Sequence, residues 1–347
     1  MDYNKILKYA KAGEHLKKYG LLREPFYITN DPKDFVGRVK EQEKLVRYLV
    51  NMLHGLSNSI IILGNHGVGK TAFIENVYPL VESVKKQLNY DKTFYISGLS
   101  DFKNKFFPPE NSDIVVEARN SPRKILLFID DLDVIYDKYA HQIYEIIDPS
   151  RFHVVGTWNV SSWKRIREGG KSYRMPKSEI VYLENLKEDE SKEIIKRRFN
   201  NSASDPKKAK TTFSDKVISL LHNYSKGNPF VLITYSKRLL DFLINEGLDC
   251  CDEDVFDKFV EKDILKRRFD PGKADSLSPK EREIFDLLIE KIEVTAEELS
   301  KEMKFKRTAA VKYLRKLEGE GLLHSKRKGR KMWYYVPMDI VYTIEDG

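Results

Sequence analysis

The chain has 347 residues, of which 41% are hydrophobic and 33% are charged, and its formal net charge is +8. The length predicts two or three domains, each with its own core, and the composition is typical of a soluble globular protein. The first residues lack the apolar core of a signal peptide and no apolar run is long enough to span a membrane, so we expect a cytoplasmic protein without a membrane partner.

The two cysteines, Cys250 and Cys251, are adjacent in the sequence. Neighbouring cysteines form a strained disulfide ring at best, and two thiols without nearby histidines make no zinc site. We therefore expect both thiols to be reduced.

The chain begins with an amphipathic pattern over residues 1–22, which predicts a short helix. Residues 23–34 contain two prolines and predict an extended connector. A further helix is expected after the connector, because Leu45, Leu49 and Met52 recur at helical spacing.

A glycine-rich segment follows the apolar strand predicted over residues 59–63. It reads Gly-x-x-x-x-Gly-Lys-Thr and leads into helical spacing, which is the strand, loop and helix of a phosphate-binding loop. Its glycines let backbone N–H groups surround a phosphate at the positive end of the helix dipole. We expect Lys70 to reach the β- and γ-phosphates and the Thr71 hydroxyl to bind Mg²⁺. The residues predicted to bind ATP or GTP are Gly64, Asn65, His66, Gly67, Val68, Gly69, Lys70, Thr71 and Ala72.

A second hydrophobic strand, predicted over residues 124–129, runs directly into Asp130, Asp131 and Asp133. An acidic strand end 60 residues after Lys70 is typical of the second half of an ATPase site. We expect Asp130 to hold Mg²⁺ and Asp131 to orient or deprotonate the attacking water. The alternative is a buried strand capped by a turn-forming aspartate.

Three further apolar segments predict strands over residues 93–97, 152–157 and 180–183. Strands that alternate with helices in this way predict a parallel sheet covered on both faces. Ligands bind at the carboxyl ends of such strands, so Asn159 is expected to reach the γ-phosphate or its attacking water. The alternative for Asn159 is a turn residue. Residues 98–123 are expected to be mostly loop, with at most one helix.

The last part of the chain predicts a winged helix-turn-helix. Capping boxes predict helix starts near Ser278 and Thr295, and a third helix is expected over residues 306–318. Two strands follow, over residues 321–324 and 332–336, and enclose a basic hairpin. We therefore predict four segments: an N-terminal helix and connector, a nucleotide-binding domain, a helical lid and a winged helix, over residues 1–34, 35–185, 186–270 and 277–347.

Positive charge is concentrated in the winged-helix segment. Eleven basic and two acidic residues give residues 304–331 a net charge of +9, so the rest of the chain sums to about −1. This asymmetry is typical of a polyanion-binding end, and we expect double-stranded DNA as the partner. A solvated hairpin or a protein-binding winged helix is the alternative. The predicted DNA contacts are Arg307, Thr308, Ala309, Lys312, Tyr313, Lys316, Lys326, Arg327, Lys328, Arg330 and Lys331.

The order of these motifs resembles the AAA+ ATPases of the archaeal origin-recognition and cell-division-control initiator family, over nearly the whole chain. The motifs are Phe35-Val36-Gly37-Arg38, the glycine loop, Ile129-Asp130-Asp131-Leu132-Asp133, Asn159, the lid and the winged helix. The resemblance implies an α/β AAA+ P-loop domain with ATP or ADP and Mg²⁺ as ligands.

The resemblance also implies roles for residues that their spacing alone does not explain. Val36, Gly37 and Arg38 are expected to lie near the adenine, and Asn159 to be the sensor-one residue. Arg174 is expected to act as an arginine finger on the ATP of a neighbouring AAA+ subunit or a second copy of the chain. Arg165 and Arg167 are alternatives for that role.

Three features depart from that family's usual pattern. Asp131 stands where a glutamate is usual, Phe230 stands near the usual lid arginine, and the insert over residues 98–123 is shorter. The shorter carboxylate and the missing charge predict slow, switch-like hydrolysis.

The lid sequence Gly227-Asn228-Pro229 resembles that of signal-transduction ATPases and their archaeal relatives, which implies that Pro229 lies near the nucleotide. A nucleotide-switched regulator of transcription or transposition is therefore the alternative to an initiator. A third possibility is a protein-interaction ATPase that does not touch DNA.

Overall fold

The computed structural model of the chain describes residues 16–27, 31–109, 112–139, 143, 147–168, 178–205, 212–264, 277–291, 293–329 and 331–337. The chain divides into two compact units, Met1–Asp252 and Glu253–Gly347. Most of the predicted N-terminal helix lies outside the described residues, as do residues 271–276 between the predicted lid and the predicted winged helix. Within the described ranges, no helix combines the length and the apolar character needed to cross a membrane.

The first unit is built on a five-stranded parallel sheet, which confirms the predicted α/β fold. Its spatial order is β2-β3-β4-β1-β5, and every neighbouring pair is parallel. Strands β1 to β5 are Ser59–Gly64, Thr93–Ser97, Ile125–Asp130, Phe152–Asn159 and Ser178–Tyr182. Because β4 lies between β1 and β3, the carboxyl ends of these three strands meet at one edge of the sheet.

Helices cover both faces of this sheet. Helices α1 to α6 are Val39–Leu53, Lys70–Ser83, Leu99–Phe106, Asp113–Asn120, Leu132–Tyr139 and Val160–Glu168. Successive strand residues point to opposite faces, so β1 places Ile60 and Ile62 in the core with α1 and α2. Ile61 and Leu63 enter the opposite core with α3, α4 and α5.

The prediction for residues 98–123 was wrong, because two helices, α3 and α4, occupy this segment. Phe102 and Phe106 lie four residues apart on α3 and are fully buried against the sheet. Ser112 caps α4 by accepting a hydrogen bond from the Val115 amide. The prolines and other turn-forming residues between the two helices suggested a loop, and each helix is too short to show a clear helical spacing.

Three helices form the lid on the first unit. Helices α7, α8 and α9 are Glu188–Ser202, Asp215–Ser225 and Pro229–Glu246. The N-terminal connector packs on the lid through Phe26, whose ring centroid lies 5.2 Å from that of Phe199 and 5.8 Å from that of Phe213. The connector is therefore part of the lid's aromatic core.

The second unit begins with the helix α10, Glu253–Phe259, which continues as a π-helical turn over Val260–Ile264. The sequence interpretation had assigned this helix to the lid. The remaining elements, α11, β6, α12, α13, β7 and β8, are Pro279–Lys291, Val294–Thr295, Ala296–Glu302, Arg307–Gly319, His324–Lys328 and Lys331–Tyr335. The three strands form an antiparallel sheet in the order β6-β8-β7.

The helices α11, α12 and α13 and the β7–β8 hairpin follow the predicted order, and β6 is a short strand that was not predicted. The first hairpin strand, β7, begins at His324 rather than three residues earlier. Leu322 and Leu323 enter the core of the unit instead of pairing in the sheet.

Candidate functional site

The phosphate loop, Gly64–Thr71, joins the end of β1 to the start of α2. Gly67 and Gly69 adopt φ angles of +72° and +94°, in the left-handed region that favours glycine. A Cβ atom on Gly64 would lie 2.7 Å from the Val68 side chain and 2.8 Å from the Leu183 carbonyl. The glycine pattern is therefore required both by backbone conformation and by close packing.

Lys70 and Thr71 are held by hydrogen bonds. The Lys70 ammonium donates to the carbonyls of Gly64 and Asn65 at 2.9 and 2.8 Å. The Thr71 hydroxyl donates to Asp130 Oδ2 at 2.7 Å. The loop and the acidic strand end, predicted separately, are thus directly bonded to each other.

Thr157, on β4, is a site residue that the sequence interpretation missed. Its hydroxyl donates to Asp130 Oδ1 at 2.6 Å and accepts from the Asp131 amide at 2.8 Å. The Thr157 side chain is fully buried, so its hydroxyl fixes the Oδ1 atom of Asp130 inside the core, while Thr71 bonds Oδ2. Its spacing from Asn159 was a usable signal, because residues two apart on a strand face the same side.

Asp131 follows β3 in a left-handed conformation, with φ of +50°, and lines the cavity described below. Partial burial, and then the charges of Asp130 and Asp133, raise the pKa of Asp131 to about 6. At neutral pH most of this carboxylate is therefore ionised and able to accept a proton.

Asn159 ends β4, as predicted, and is buried. Its Oδ1 accepts from the amide and the hydroxyl of Ser161 at 2.8 and 2.6 Å, and its own amide donates to Asp133 Oδ2 at 3.0 Å. The Asn159 Nδ2 has no hydrogen-bond partner among the described residues. A buried N–H donor without a partner is costly unless a ligand supplies the acceptor.

A cavity of about 310 Å³ adjoins the phosphate loop. Its volume is within the range of small-molecule sites. The cavity is lined by residues 66–72, Val36, Arg38 and Asp131. Pro229 and apolar side chains of the lid complete its wall. The predicted residues in this set line a single cavity, although they come from distant parts of the chain.

The three residues predicted near the adenine have different roles. Val36 lines the cavity, whereas Gly37 packs against Glu190, whose Oε1 would lie 2.3 Å from an added Cβ. The buried Arg38 guanidinium donates to the carbonyls of Val68 and Glu184 at 3.2 and 2.7 Å. Arg38 therefore braces the phosphate loop as well as lining the cavity.

The predicted arginine finger, Arg174, lies outside the described residues. Its alternatives, Arg165 and Arg167, lie in α6. The roles of all three stay predictions.

The basic surface, formed by α13 and the β7–β8 hairpin, contains two kinds of predicted DNA contact. Thr308 and three cations, Arg307, Lys312 and Arg327, are exposed, and no ion pair joins these cations to another described residue. Tyr313 is partly buried beside Phe305, with ring centroids 5.9 Å apart. Ala309 lies in α13 and Lys328 in β7, whereas Arg330 lies outside the described residues.

Three other cations of the basic surface are paired. Lys316 donates to Glu281 Oε1 at 2.5 Å, and Glu281 is buried. The Lys316 ammonium and hydrogen bonds from Ser278 lower the pKa of Glu281 to about 2. Lys326 and Lys331 lie 2.7 and 3.6 Å from the carboxylates of Glu293 and Glu297, respectively.

Comparisons with solved structures support this fold. No protein-family model matches the chain. The ORC2 protein of Aeropyrum pernix, in ADPNP and ADP complexes, superposes with a TM-score of 0.50 at 17% identity, over 93% of this chain and 96% of that one. Drosophila ORC bound to DNA gives 0.51 at 15% identity, over 95% and 92%. A. pernix ORC1 in complex with DNA gives 0.51 at 13% identity, over 94% and 95%.

One curated protein is also similar in sequence. The chaperone protein ClpB of Wolinella succinogenes is 25% identical over 171 residues, which are 45% of this chain and 19% of ClpB. The chain thus spans about a fifth of that chaperone's length. At the identities found for the solved structures, the similarity establishes a fold shared with these ORC proteins and no more.

Proposed function

We propose that this chain is an ATP-binding and slowly hydrolysing AAA+ protein that binds double-stranded DNA, in the manner of a replication initiator. The observation that carries the proposal is the connected chain of hydrogen bonds from Thr71 through Asp130 and Thr157 to the Asp131 amide. Thr71 and Asp131, at the two ends of this chain of hydrogen bonds, line the same cavity as the phosphate loop. A cytoplasmic location stays a prediction.

The residues present fit a nucleotide and Mg²⁺. The loop amides and Lys70 would hold the phosphates, and the Asn159 Nδ2 is a buried donor with the capacity to bond a phosphate oxygen. Thr71 and Asp130 supply the oxygen ligands that Mg²⁺ prefers, and their side chains already lie within 2.7 Å of each other. When bound, Mg²⁺ neutralises charge on the phosphates.

Asp131 is the proposed base for hydrolysis. It lines the cavity beside the phosphate loop, and its carboxylate is ionised at neutral pH, as a general base must be. An aspartate is one methylene shorter than the glutamate usual at this position in similar proteins. A displacement of about 1 Å can cost a hundredfold in rate, so we expect a long-lived ATP-bound state.

The proposal that the protein binds DNA rests on the charge of the basic surface. Residues 304–331 carry a net charge of +9, and exposed Arg307 and Lys312 lie on the helix that winged-helix proteins place in the major groove. The similar ORC proteins of Drosophila and A. pernix were solved with DNA, which supports the same partner class here. A second subunit as partner stays a proposal.

The nucleotide part is tested by Lys70→Ala in the full chain. Loss of the ammonium should weaken ATP binding well over tenfold, equivalent to about 1.4 kcal/mol or more, measured by calorimetry. Lys103→Ala is the matched control, because Lys103 is an exposed lysine of α3 that does not line the cavity. Equal ATP affinity of the two variants would contradict the proposal.

A nucleotide-switched regulator of transcription or transposition is the second candidate. The Gly227-Asn228-Pro229 turn favours it, since Pro229 lines the cavity as the resemblance to signal-transduction ATPases implies. Footprinting on genomic DNA distinguishes the two candidates: protection of origin repeats supports an initiator, and protection of promoters or transposon ends supports a regulator. A protein that shows no salt-dependent DNA binding belongs to the third class, the protein-interaction ATPases.

A further inference from the structure

The first turn of the lid helix α9 is bonded to the phosphate loop. The side-chain amide of Asn228 donates to the His66 carbonyl at 2.9 Å. The backbone amide of Phe230 lies 3.3 Å from the Gly67 carbonyl and donates to it. Two consecutive loop carbonyls thus accept hydrogen bonds from one turn of the lid.

Asn228 performs two tasks with one buried side chain. Its Oδ1 caps α9 by accepting from the amides of Phe230 and Val231 at 3.1 and 3.3 Å. Because these two donors fix the position of Oδ1, the Nδ2 group must face the other way, toward His66. The side chain is 2% exposed, so water does not compete for this bond.

The turn that carries Asn228 has little freedom to move. Gly227 has φ of +74°, and a Cβ on it would lie 2.2 Å from the Leu186 carbonyl. The Leu186 amide donates to the Gly227 carbonyl at 2.8 Å. Pro229 follows as the first residue of α9, where its fixed φ suits a helix start.

We propose that Asn228 is a positioning residue of the nucleotide site, and this rests on the proposed function. By donating to the His66 carbonyl, it holds that peptide group toward the lid helix and keeps the neighbouring loop amides available to the phosphates. It also makes the first turn of α9 and the phosphate loop move together, so that a nucleotide bound by the loop orders the lid helix.

The cap and the bridge can be separated by substitution. Asn228→Ser and Asn228→Asp keep an oxygen that caps α9 well, but neither offers an amide donor to His66. The matched control is Ser214→Ala, because Ser214 caps the lid helix α8 through the Val217 amide and does not line the cavity. This control removes a lid cap without touching the loop.

The first measurement is the affinity of the full chain for ADP. Asn228→Ser should weaken binding by about three- to tenfold, which corresponds to one hydrogen bond. Asn228→Asp should weaken it further, because its carboxylate faces the His66 carbonyl. Ser214→Ala should bind as the unsubstituted chain does.

The second measurement is hydrogen exchange of the nucleotide-free chain, read on peptides that cover residues 64–72. The loop amides should exchange about three- to tenfold faster in Asn228→Ser and should be unchanged in Ser214→Ala. Unchanged affinity and unchanged exchange in both Asn228 variants would overturn the proposal. If the unsubstituted chain binds no nucleotide, the proposed function fails, whereas the exchange result still decides the role of Asn228.

Discussion

The nucleotide site and the basic surface hold their charged side chains in different ways. In the nucleotide site, Lys70 is bonded to loop carbonyls, and Asp130 accepts hydrogen bonds from Thr71 and Thr157. On the basic surface, half of six comparable cations are paired with carboxylates and half have no such pair among the described residues. The paired cations are Lys316, Lys326 and Lys331, and the others are Arg307, Lys312 and Arg327.

The difference shows what a sequence pattern specifies. A phosphate loop is a backbone conformation, so its residues can take only one arrangement once the glycines and the strand are in place. A basic segment specifies charge, but an acidic residue elsewhere in the fold decides whether that charge is available. Glu281, 35 residues before Lys316 in the chain, is such a residue.

Thr157→Val tests whether the nucleotide site depends on its hydrogen-bonded side chains, and we expect the largest effect from this substitution. The substitution removes the hydroxyl that joins Asp130 to the Asp131 amide, and both groups lose a buried partner. We expect single-turnover ATP hydrolysis to slow by about a hundredfold, through misplacement of the carboxylates. Thr157→Ser keeps the hydroxyl and should restore most of the rate. A Val variant as fast as the Ser variant would show that the site does not depend on this bond.

The second test compares two triple substitutions to glutamine on the basic surface. Replacement of Arg307, Lys312 and Arg327 should lower the salt dependence of DNA affinity by about three units, near one per phosphate contact. At 0.15 M salt it should weaken binding at least tenfold, measured by fluorescence anisotropy. The matched triple of Lys316, Lys326 and Lys331 removes the same charge and should lower the slope by less. Equal slopes would mean that the ion pairs open when DNA binds.

A third, smaller effect is expected from Asp131→Glu. The longer side chain should bring the carboxylate closer to the attacking water and raise the hydrolysis rate by several-fold, up to about tenfold. Single-turnover measurements with the purified chain, with and without DNA, test this. An unsubstituted chain that turns over faster than about 1 s⁻¹ without a partner would contradict the slow-hydrolysis proposal.

The smallest effect concerns the pH dependence of stability. The pKa of Glu281 in the folded protein, about 2, lies below its usual value, so its ion pair stabilises the fold above that usual value. This contribution is lost as the pH falls through about 2. Lys316→Met should therefore lower the melting temperature near pH 7, and the difference from the unsubstituted chain should shrink toward pH 2. A constant difference over that range would exclude the ion pair as its cause.

The sequence was sufficient for the fold class and for the elements around the nucleotide site. Apolar strands that end in Gly64 and Asp130 are local patterns, and their meeting follows from the rule that strand ends share one edge of a parallel sheet. Thr157 was missed because its spacing from Asn159 indicates only that the two side chains share a face of the strand, and not which carboxylate Thr157 contacts. Its role arises from a register that brings β4 beside β3.

The same limit explains the errors elsewhere. Helices α3 and α4 are eight residues each, too short for a periodic pattern to outweigh the prolines between them. The partners of Lys316, Lys326 and Lys331 depend on packing between segments of the second unit that are distant in sequence. Tertiary pairing of this kind leaves no local trace in the chain.

The position of β4 has a consequence for how the protein is made. β4 follows β3 in the chain but lies between β3 and β1, and Ser59 pairs with Val154 across the intervening segment. During synthesis, the residues of the phosphate loop and of the acidic strand end therefore leave the ribosome before those of β4, the strand that lies between them in the sheet. Sheets built from such long-range pairings fold slowly, and their open edges are exposed to aggregation in the meantime. Under the proposed function, ATP would therefore find no complete site until late in folding, and it would stabilise only the chains in which β4 lies between its two neighbours.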